Sequence, residues 1–283
     1  MGKNSHIEWT HHTFNPWWGC SKVSPACRYC YAEAWAKRVG QKVWGGDASR
    51  RFFSDGHWRE PLKWNREAAE TGHPKRGFCA SMADVFERRK DLNRERERLW
   101  RLIEDTPFLV WLLLTKRPHN VLKMAPWGID GWPANVWIGT TVENQTWAER
   151  RLPALLEIPA TVKFLSCEPL LGQIDLNPWL GQNSLPLVQW IIAGGESGPK
   201  SRPMHPDWAR SLRDFSLERG IAFHFKQWGH WVPAEMVKEQ ERRASRLVDA
   251  PGNAAVHMVS LGKKDAGIVL DGLTYDGVPE VAA

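Results

Sequence analysis

Tyrosine is nearly missing from this sequence: three residues stand against 18 tryptophans in a chain of 283. No stretch approaches the roughly 20 apolar residues needed to cross a bilayer, so a membrane partner is not expected. The segment from Met1 to Trp18 holds Glu8, His11 and His12 and lacks an apolar run, which excludes the pattern of a secretory signal. Cysteine is scarce and odd in number, five in all, which argues against a disulfide framework. These absences together predict a cytoplasmic protein, where thiols stay reduced and free for metal binding or catalysis. Charge is not lopsided either. The 38 Lys and Arg against 32 Asp and Glu leave +6, which permits an anionic partner without requiring one.

What is present points to an α/β chain. Apolar runs of strand length occur at Gly77-Phe-Cys-Ala-Ser81, Phe108-Leu-Val-Trp-Leu-Leu-Leu114, Val136-Trp-Ile-Gly-Thr140, Val162-Lys-Phe-Leu-Ser166, Val188-Gln-Trp-Ile-Ile-Ala193 and Ile221-Ala-Phe-His-Phe225. Because they do not alternate cleanly, they read as strands buried on both faces, hence a parallel sheet. Helical stretches lie between them, including Arg88 to Glu104, Trp147 to Glu157 and Pro206 to Arg219, the last ended by Gly220. Alternation of strand and helix is what βαβ units require. From about Val232 the chain changes character, with a charged run to Arg246 and short strands and turns around Gly262-Lys-Lys264 and Leu270 to Tyr275. We therefore expect a barrel-like body over 1–231 and a small α+β appendage over 232–283.

Charged and polar groups follow each apolar run. Met82-Ala-Asp84, Thr115-Lys-Arg117, Thr141-Val-Glu-Asn144, Cys167-Glu-Pro169, Gly194-Gly-Glu-Ser197 and Lys226-Gln-Trp-Gly229 all begin just past a strand. In parallel α/β architectures the C-terminal strand ends carry the site. A ring of charge around one mouth explains six such endings better than loops that merely begin with polar residues.

Cys20, Cys27 and Cys30 form a C-x6-C-x2-C cluster, whereas Cys79 and Cys167 fall in strand runs and read as small buried hydrophobes. Three thiols in eleven residues are hard to explain by packing. Zinc would need a fourth ligand, which His11 or His12 is placed to supply. An iron–sulfur cluster on three cysteines would leave one iron open for a ligand. Spacing alone does not choose between them.

The Cys27-Arg-Tyr29-Cys30 segment resembles the cysteine motif of the radical S-adenosylmethionine (SAM) superfamily, with the first cysteine set further away than the commonest spacing. The wider pattern is similar to a phage- and prophage-associated three-cysteine family of that superfamily. The matching stretches are Ile7-Glu-Trp-Thr10, Asn15-Pro-Trp-Trp-Gly-Cys20, Ser81-Met-Ala-Asp-Val-Phe86, Leu114-Thr-Lys-Arg-Pro118, Thr141-Val-Glu-Asn144, Cys167-Glu-Pro-Leu-Leu-Gly172, Gly194-Gly-Glu-Ser-Gly198 and Phe225-Lys-Gln-Trp-Gly229. The resemblance implies a partial (β/α)6-type barrel holding a [4Fe–4S] cluster on Cys20, Cys27 and Cys30. It implies SAM on the open iron, reductive cleavage to methionine and a 5′-deoxyadenosyl radical, and hydrogen abstraction from a substrate. The cofactor supplies that step while the protein orients it and excludes water.

Charge assigns candidate roles around SAM. Asp84, in the Ser81-Met-Ala-Asp84 segment, is a candidate acceptor for the ammonium; Lys116 and Arg117 are candidates for the carboxylate. Glu143 and Asn144 suit ribose hydroxyls. Gly194 and Gly195 allow close backbone approach to a ligand, nearer adenine or substrate. Glu168, Glu196 and Lys226 are the catalytic candidates, with Trp228, Arg202 and His205 beside them.

The family resemblance implies an isomerase- or lyase-type enzyme acting on nucleic acid, including hypermodified, amino-acyl-substituted thymine in phage DNA, within the bacterial host cytoplasm. A one-electron donor such as a flavodoxin is then expected. A small molecule or RNA nucleoside is the alternative substrate, and a non-enzymatic three-cysteine zinc protein that binds DNA is the alternative class. Arg88-Arg-Lys90, Arg94 to Arg101 and Arg242-Arg243 are basic stretches placed to track phosphates, although interleaved Glu95 and Glu97 make the middle one read better as a solvated helix face. Trp111, Trp137 and Trp190 read as core, and Trp17, Trp18 and Trp228 as candidates for stacking on a base. Anaerobic iron–sulfur reconstitution decides the class: the enzyme reading predicts absorbance near about 400 nm that Cys27→Ala abolishes. Tight zinc with no chromophore would sink it.

Overall fold

The computed structural model of the chain describes residues 2–5, 7–181, 185–239, 244–250 and 252–280. The strands are β1 (His12–Thr13), β2 (Lys75–Cys79), β3 (Leu109–Thr115), β4 (Val136–Thr141), β5 (Lys163–Cys167), β6 (Trp190–Gly194), β7 (Ala222–Gln227), β8 (Trp231–Pro233), β9 (Ser245–Ala250), β10 (Asn253–Ser260), β11 (Val269–Leu270) and β12 (Leu273–Thr274). The helices are α1 (Tyr31–Arg38), α2 (Asp55–Trp58), α3 (Glu60–Thr71), α4 (Asn93–Glu104), α5 (Val121–Met124), α6 (Gln145–Leu156), α7 (Asn177–Leu180), α8 (Pro206–Glu218) and α9 (Lys263–Ala266). Strands β1 to β7 form one sheet in chain order, with helices between successive strands from β2 onward. This is the α/β arrangement expected from the alternation of apolar runs and the partial barrel that the resemblance implied. All six expected strands are present; β1 precedes them as a seventh, too short at two residues to show an apolar run.

The chain divides into two compact units. The first comprises Met1–Ser24, Ala32–Thr140 and Ala154–Lys163. Here β1 to β4 pair in parallel, with Phe78 opposite Leu112 and Leu113 opposite Ile138. Every residue of β4 is buried, which is why its sequence does not alternate. Helix α4 lays Leu99, Leu102 and Ile103 into the core, each contributing roughly 2 kcal/mol by burial, and keeps Arg94, Glu97 and Arg101 outside. The solvated-face reading of this helix holds at Arg94, Glu97 and Arg101 but not at Arg96, whose buried guanidinium donates to the carbonyls of Val85 (2.8 Å) and Glu87 (2.9 Å).

The second unit comprises Pro25–Tyr31, Thr141–Pro153 and Phe164–Ala283. Its β5, β6 and β7 are parallel, with Leu165 opposite Ile191 and Ile191 opposite Phe223. Helix α8 starts where the buried His205 side chain accepts from the Asp207 N–H (3.1 Å), with Pro206 in the first turn. His205 is therefore a helix cap, which corrects its reading as a substrate-side residue. Strands β8, β10 and β9 make a small antiparallel sheet, and β11 and β12 a hairpin. The chain after that hairpin runs along β7: Phe225 N–H donates to Tyr275 O (2.8 Å) and Gly277 N–H to Phe223 O (3.0 Å), so this strand edge is covered. Gly262-Lys-Lys264, expected as strand and turn, instead leads into the single helical turn α9.

The ends of β6 and β7 interlock through glycine. A Cβ on Gly195 would lie 1.9 Å from the Trp228 carbonyl oxygen. Gly229, at φ +86°, would place one 2.3 Å from the Glu196 carbonyl oxygen. The close approach expected at Gly195 is thus made by this chain's own backbone. Gly195→Ala should lower stability by about 3 kcal/mol in a thermal or urea melt, since backbone cannot yield as a side chain does. An unchanged melting midpoint would contradict the interlock.

Candidate functional site

Five reduced cysteines separate by environment: Cys79 and Cys167 are fully buried, whereas Cys20, Cys27 and Cys30 are all half-buried. The inward pair matches the hydrophobe reading. Burial pushes the Cys20 thiol up to about 12, with the carboxylates of Asp84 and Glu87 adding to the rise and Arg117 opposing it. Gly19 sets the entry to the cysteine loop at φ +116°, because a Cβ there would meet the Val43 carbonyl oxygen at 2.3 Å.

In the first unit, the residue after Cys20 is gripped by charge. Arg117 donates through Nη2 to Ser21 O (3.0 Å) and Ser21 Oγ (2.9 Å), and through Nη1 to Asp84 Oδ2 (2.7 Å) and Cys20 Sγ (3.8 Å). Asp84 is nearly enclosed, and burial alone would raise its pKa. The Arg117 charge, with donors from Thr115 Oγ1 (2.7 Å), the Lys116 N–H (3.1 Å) and the Phe86 N–H (3.0 Å), more than reverses this and holds it below the usual carboxylate range. Ser21 Oγ also donates to Glu87 Oε1 (2.6 Å), and Glu87 accepts from buried Arg50 (2.7 Å). Arg50 in turn donates to the carbonyls of Val43, Gly45 and Ala48.

In the second unit, two further ion pairs reach the same loop. Glu143 is fully buried against Arg151 Nη1 (2.8 Å) and accepts from the Ala26 N–H (3.3 Å), next to Cys27. The Arg151 guanidinium lies over the Trp147 ring at 4.1 Å. Glu196 accepts from Arg202 through Nε (2.8 Å), Nη2 (2.5 Å) and the backbone N–H (2.9 Å). Arg202 Nη2 also donates to Pro25 O (3.0 Å), and its guanidinium lies 5.3 Å from the Tyr29 ring centroid. Asp84, Arg117, Glu143 and Glu196 are thus engaged with the loop that carries the cysteines, a use that strand-end position did not reveal. Glu87, Arg50 and Arg151 were missed in the sequence reading. Glu87 directly follows the Ser81 to Phe86 stretch, which was the available signal; Arg50 and Arg151 carried none.

The remaining candidates sit elsewhere. Glu168 and Lys226, at the ends of β5 and β7, form a half-buried pair (2.9 Å), and a Cβ on Gly194 would lie 3.0 Å from Glu168 Oε1. Ser81 accepts from Asn15 Nδ2 (3.0 Å). Asn144 accepts the Trp147 N–H (3.3 Å) just before α6, and Lys116 presents its backbone N–H to Asp84. Trp111, Trp137 and Trp190 are core, as expected. Trp17, Trp18 and Trp228 are buried as well, which corrects their reading as stacking residues: their rings are packed inside, and Trp228 Nε1 donates to Val269 O (2.7 Å). Arg242-Arg243 lies outside the described residues.

Among the described residues no three His, Cys, Asp or Glu side chains are gathered to hold a metal ion. His11 Nδ1 accepts from the Arg76 N–H (2.9 Å) and His12 stacks on Trp64 at 4.6 Å, so neither stands as a zinc ligand beside the cysteines. The fit to an iron–sulfur cluster lies in the donor chemistry: three half-buried, reduced thiols within eleven residues, with Ser21 held in the first unit and Pro25 and Ala26 held in the second.

A family model described as Protein of unknown function (DUF5131) matches residues 4–279. No curated protein matches the chain. Among solved structures, a cysteine-to-serine variant of spore photoproduct lyase is similar, with a TM-score of 0.50 and 13% identity over 92% of this chain and 71% of that one. A second variant, described with bound AdoMet and a dinucleoside spore photoproduct, has a TM-score of 0.48 at 13% identity over the same shares. At such identity the first likeness is one of fold. No helix of the described residues is long and apolar enough to cross a membrane.

Asp84→Asn tests the grip on Ser21. Removing one partner of a buried pair costs about 3 kcal/mol at neutral pH. Because the folded carboxyl is held low, its stabilisation is present above the ordinary carboxylate range and lost as pH falls through the depressed value. The stability gap between Asp84→Asn and the parent, read from urea melts, should therefore narrow in acid. A gap that widens in acid contradicts the ion pair.

Proposed function

We propose that this chain, which belongs to the family described as Protein of unknown function (DUF5131), is a radical SAM enzyme acting on a base of nucleic acid. The observation that carries this reading is the separation of the cysteines: three half-buried in the gripped loop, two sealed in strands. The fold shared with spore photoproduct lyase supports it at a coarse level. Cys20, Cys27 and Cys30 hold a [4Fe–4S] cluster that, when bound, supplies the electron for reductive cleavage of SAM.

The chain's own residues do the rest. Arg117, Glu143 and Arg202 keep the loop in shape by holding Ser21, Ala26 and Pro25. They are positioning residues, and Asp84, Arg151 and Glu196 act through them. Arg117 also donates toward Cys20 Sγ, which favours the thiolate form that a metal requires. Glu168 and Lys226 are the catalytic pair: half-buried and joined by one ion pair, they can exchange that contact for a ligand's ammonium or carboxylate without a buried charge left behind. Ser81, Lys116, Asn144 and Gly194 complete the set proposed to face SAM, while Gly195 packs against the backbone of Trp228. The proposed substrate is a hypermodified, amino-acyl-substituted thymine in phage DNA, rearranged in an isomerase- or lyase-type reaction, with a flavodoxin-like protein as electron donor.

Anaerobically reconstituted protein should release 5′-deoxyadenosine from SAM faster with DNA than with free nucleosides or tRNA, and the DNA base should change in mass. Lys226→Met should lower substrate conversion about 100-fold while iron content stays at the parent level. If DNA neither speeds release nor changes in mass, the reading fails.

A further inference from the structure

Trp17, Trp18 and Trp228 are buried, so an exposed tryptophan has to be sought elsewhere. Among the described residues Trp35, on α1, is the one exposed tryptophan, at 38%. It stands edge-on to Trp18, with ring centroids 5.0 Å apart at 81°. Above Trp18, the Arg51 guanidinium lies 4.4 Å from the ring centroid, and 5.4 Å from that of Phe53. Backbone bonds hold this layer: Trp18 N–H donates to Arg51 O (2.9 Å) and Arg51 N–H to Trp18 O (3.0 Å). Arg51 is exposed, and no carboxylate pairs with it among the described residues. Phe52 beside it is 45% exposed. From residue 32 to residue 51, Lys37 is paired with Glu33 and Arg50 is buried against Glu87, which leaves the exposed Arg38, Lys42 and Arg51 against Asp47.

We propose that Trp35 and Arg51, which both pack against Trp18, form a contact surface for an unpaired stretch of nucleic acid, with Trp35 stacking on a base and Arg51 meeting a phosphate. A base has an apolar face and an anionic backbone beside it, which is the complement of an exposed ring next to an unpaired guanidinium. A protein partner would match the rings equally well but has no general need for the surplus cation. Because Trp18 lies two residues before Cys20, this surface joins the chain that leads into the cysteine loop. The inference deepens the nucleic-acid reading above and rests on it for the kind of partner.

The test is anisotropy of a labelled single-stranded oligodeoxynucleotide with the full reconstituted chain, titrated in salt, alongside the same sequence as duplex. Trp35→Ala should weaken single-strand binding about 5- to 100-fold, with Trp35→Phe restoring most of it. Arg51→Met should reduce the slope of log affinity against log salt by about 0.7. Thermal melts of each variant separate a lost contact from a lost fold, and Arg51→Met leaves the backbone pairing to Trp18 in place. Parent-like binding by both Trp35→Ala and Arg51→Met overturns the proposal, as does a parent that binds no strand or binds duplex better. A parent that binds strands through Trp35 yet never cleaves SAM would refute the radical enzyme and leave this surface standing. SAM cleavage with strand binding indifferent to Trp35 would do the reverse.

Discussion

Arg117, Glu143 and Arg202 each reach the backbone of one short loop, and each is held in turn by an opposite charge: Asp84, Arg151 and Glu196. The cysteine segment has only one short turn of its own, Pro25–Cys27, closed by the Arg28 N–H on Pro25 O (3.1 Å), so its other polar backbone groups must be met from outside. Neutral partners would do this weakly. Charge-assisted bonds are stronger and directional, and a paired charge can be buried without the full desolvation penalty. The arrangement adds little net stability by itself. Its effect is to restrict where Ser21, Pro25 and Ala26 sit, and with them Cys20 and Cys27.

The sheet makes this possible. Within each unit the parallel strands are buried on both faces, and the residue just past each strand end leaves the core with its backbone direction already set. Asp84 and Arg117 follow β2 and β3, Glu143 follows β4, and Glu196 follows β6. The glycine interlock between Gly195 and Gly229 holds the start of the Glu196 segment against the end of β7. Packing in the strands thus fixes the charges, and the charges hold the loop.

The six long strands were legible because apolar runs such as Leu109–Thr115 have few other uses. Strand β1 was not, since two residues carry no pattern. Which strand ends bear charge could be read directly; what those charges bind could not. Glu143 and Arg151, or Glu196 and Arg202, look like any pair separated by a turn or two. The division of the cysteines was legible from spacing, because packing does not place three thiols in eleven residues. Tryptophan exposure was hidden: Trp18 and Trp35 both stand near the cysteine loop, and only the fold shows that the first is covered by Arg51 and the second is open.

The central proposal is that Cys20, Cys27 and Cys30 would hold a [4Fe–4S] cluster able to take SAM. Electron paramagnetic resonance of the reduced, reconstituted protein tests it most directly. A [4Fe–4S] signal whose shape shifts when SAM is added is expected. A signal unmoved by SAM, or none at all with iron lost and zinc retained, would contradict it.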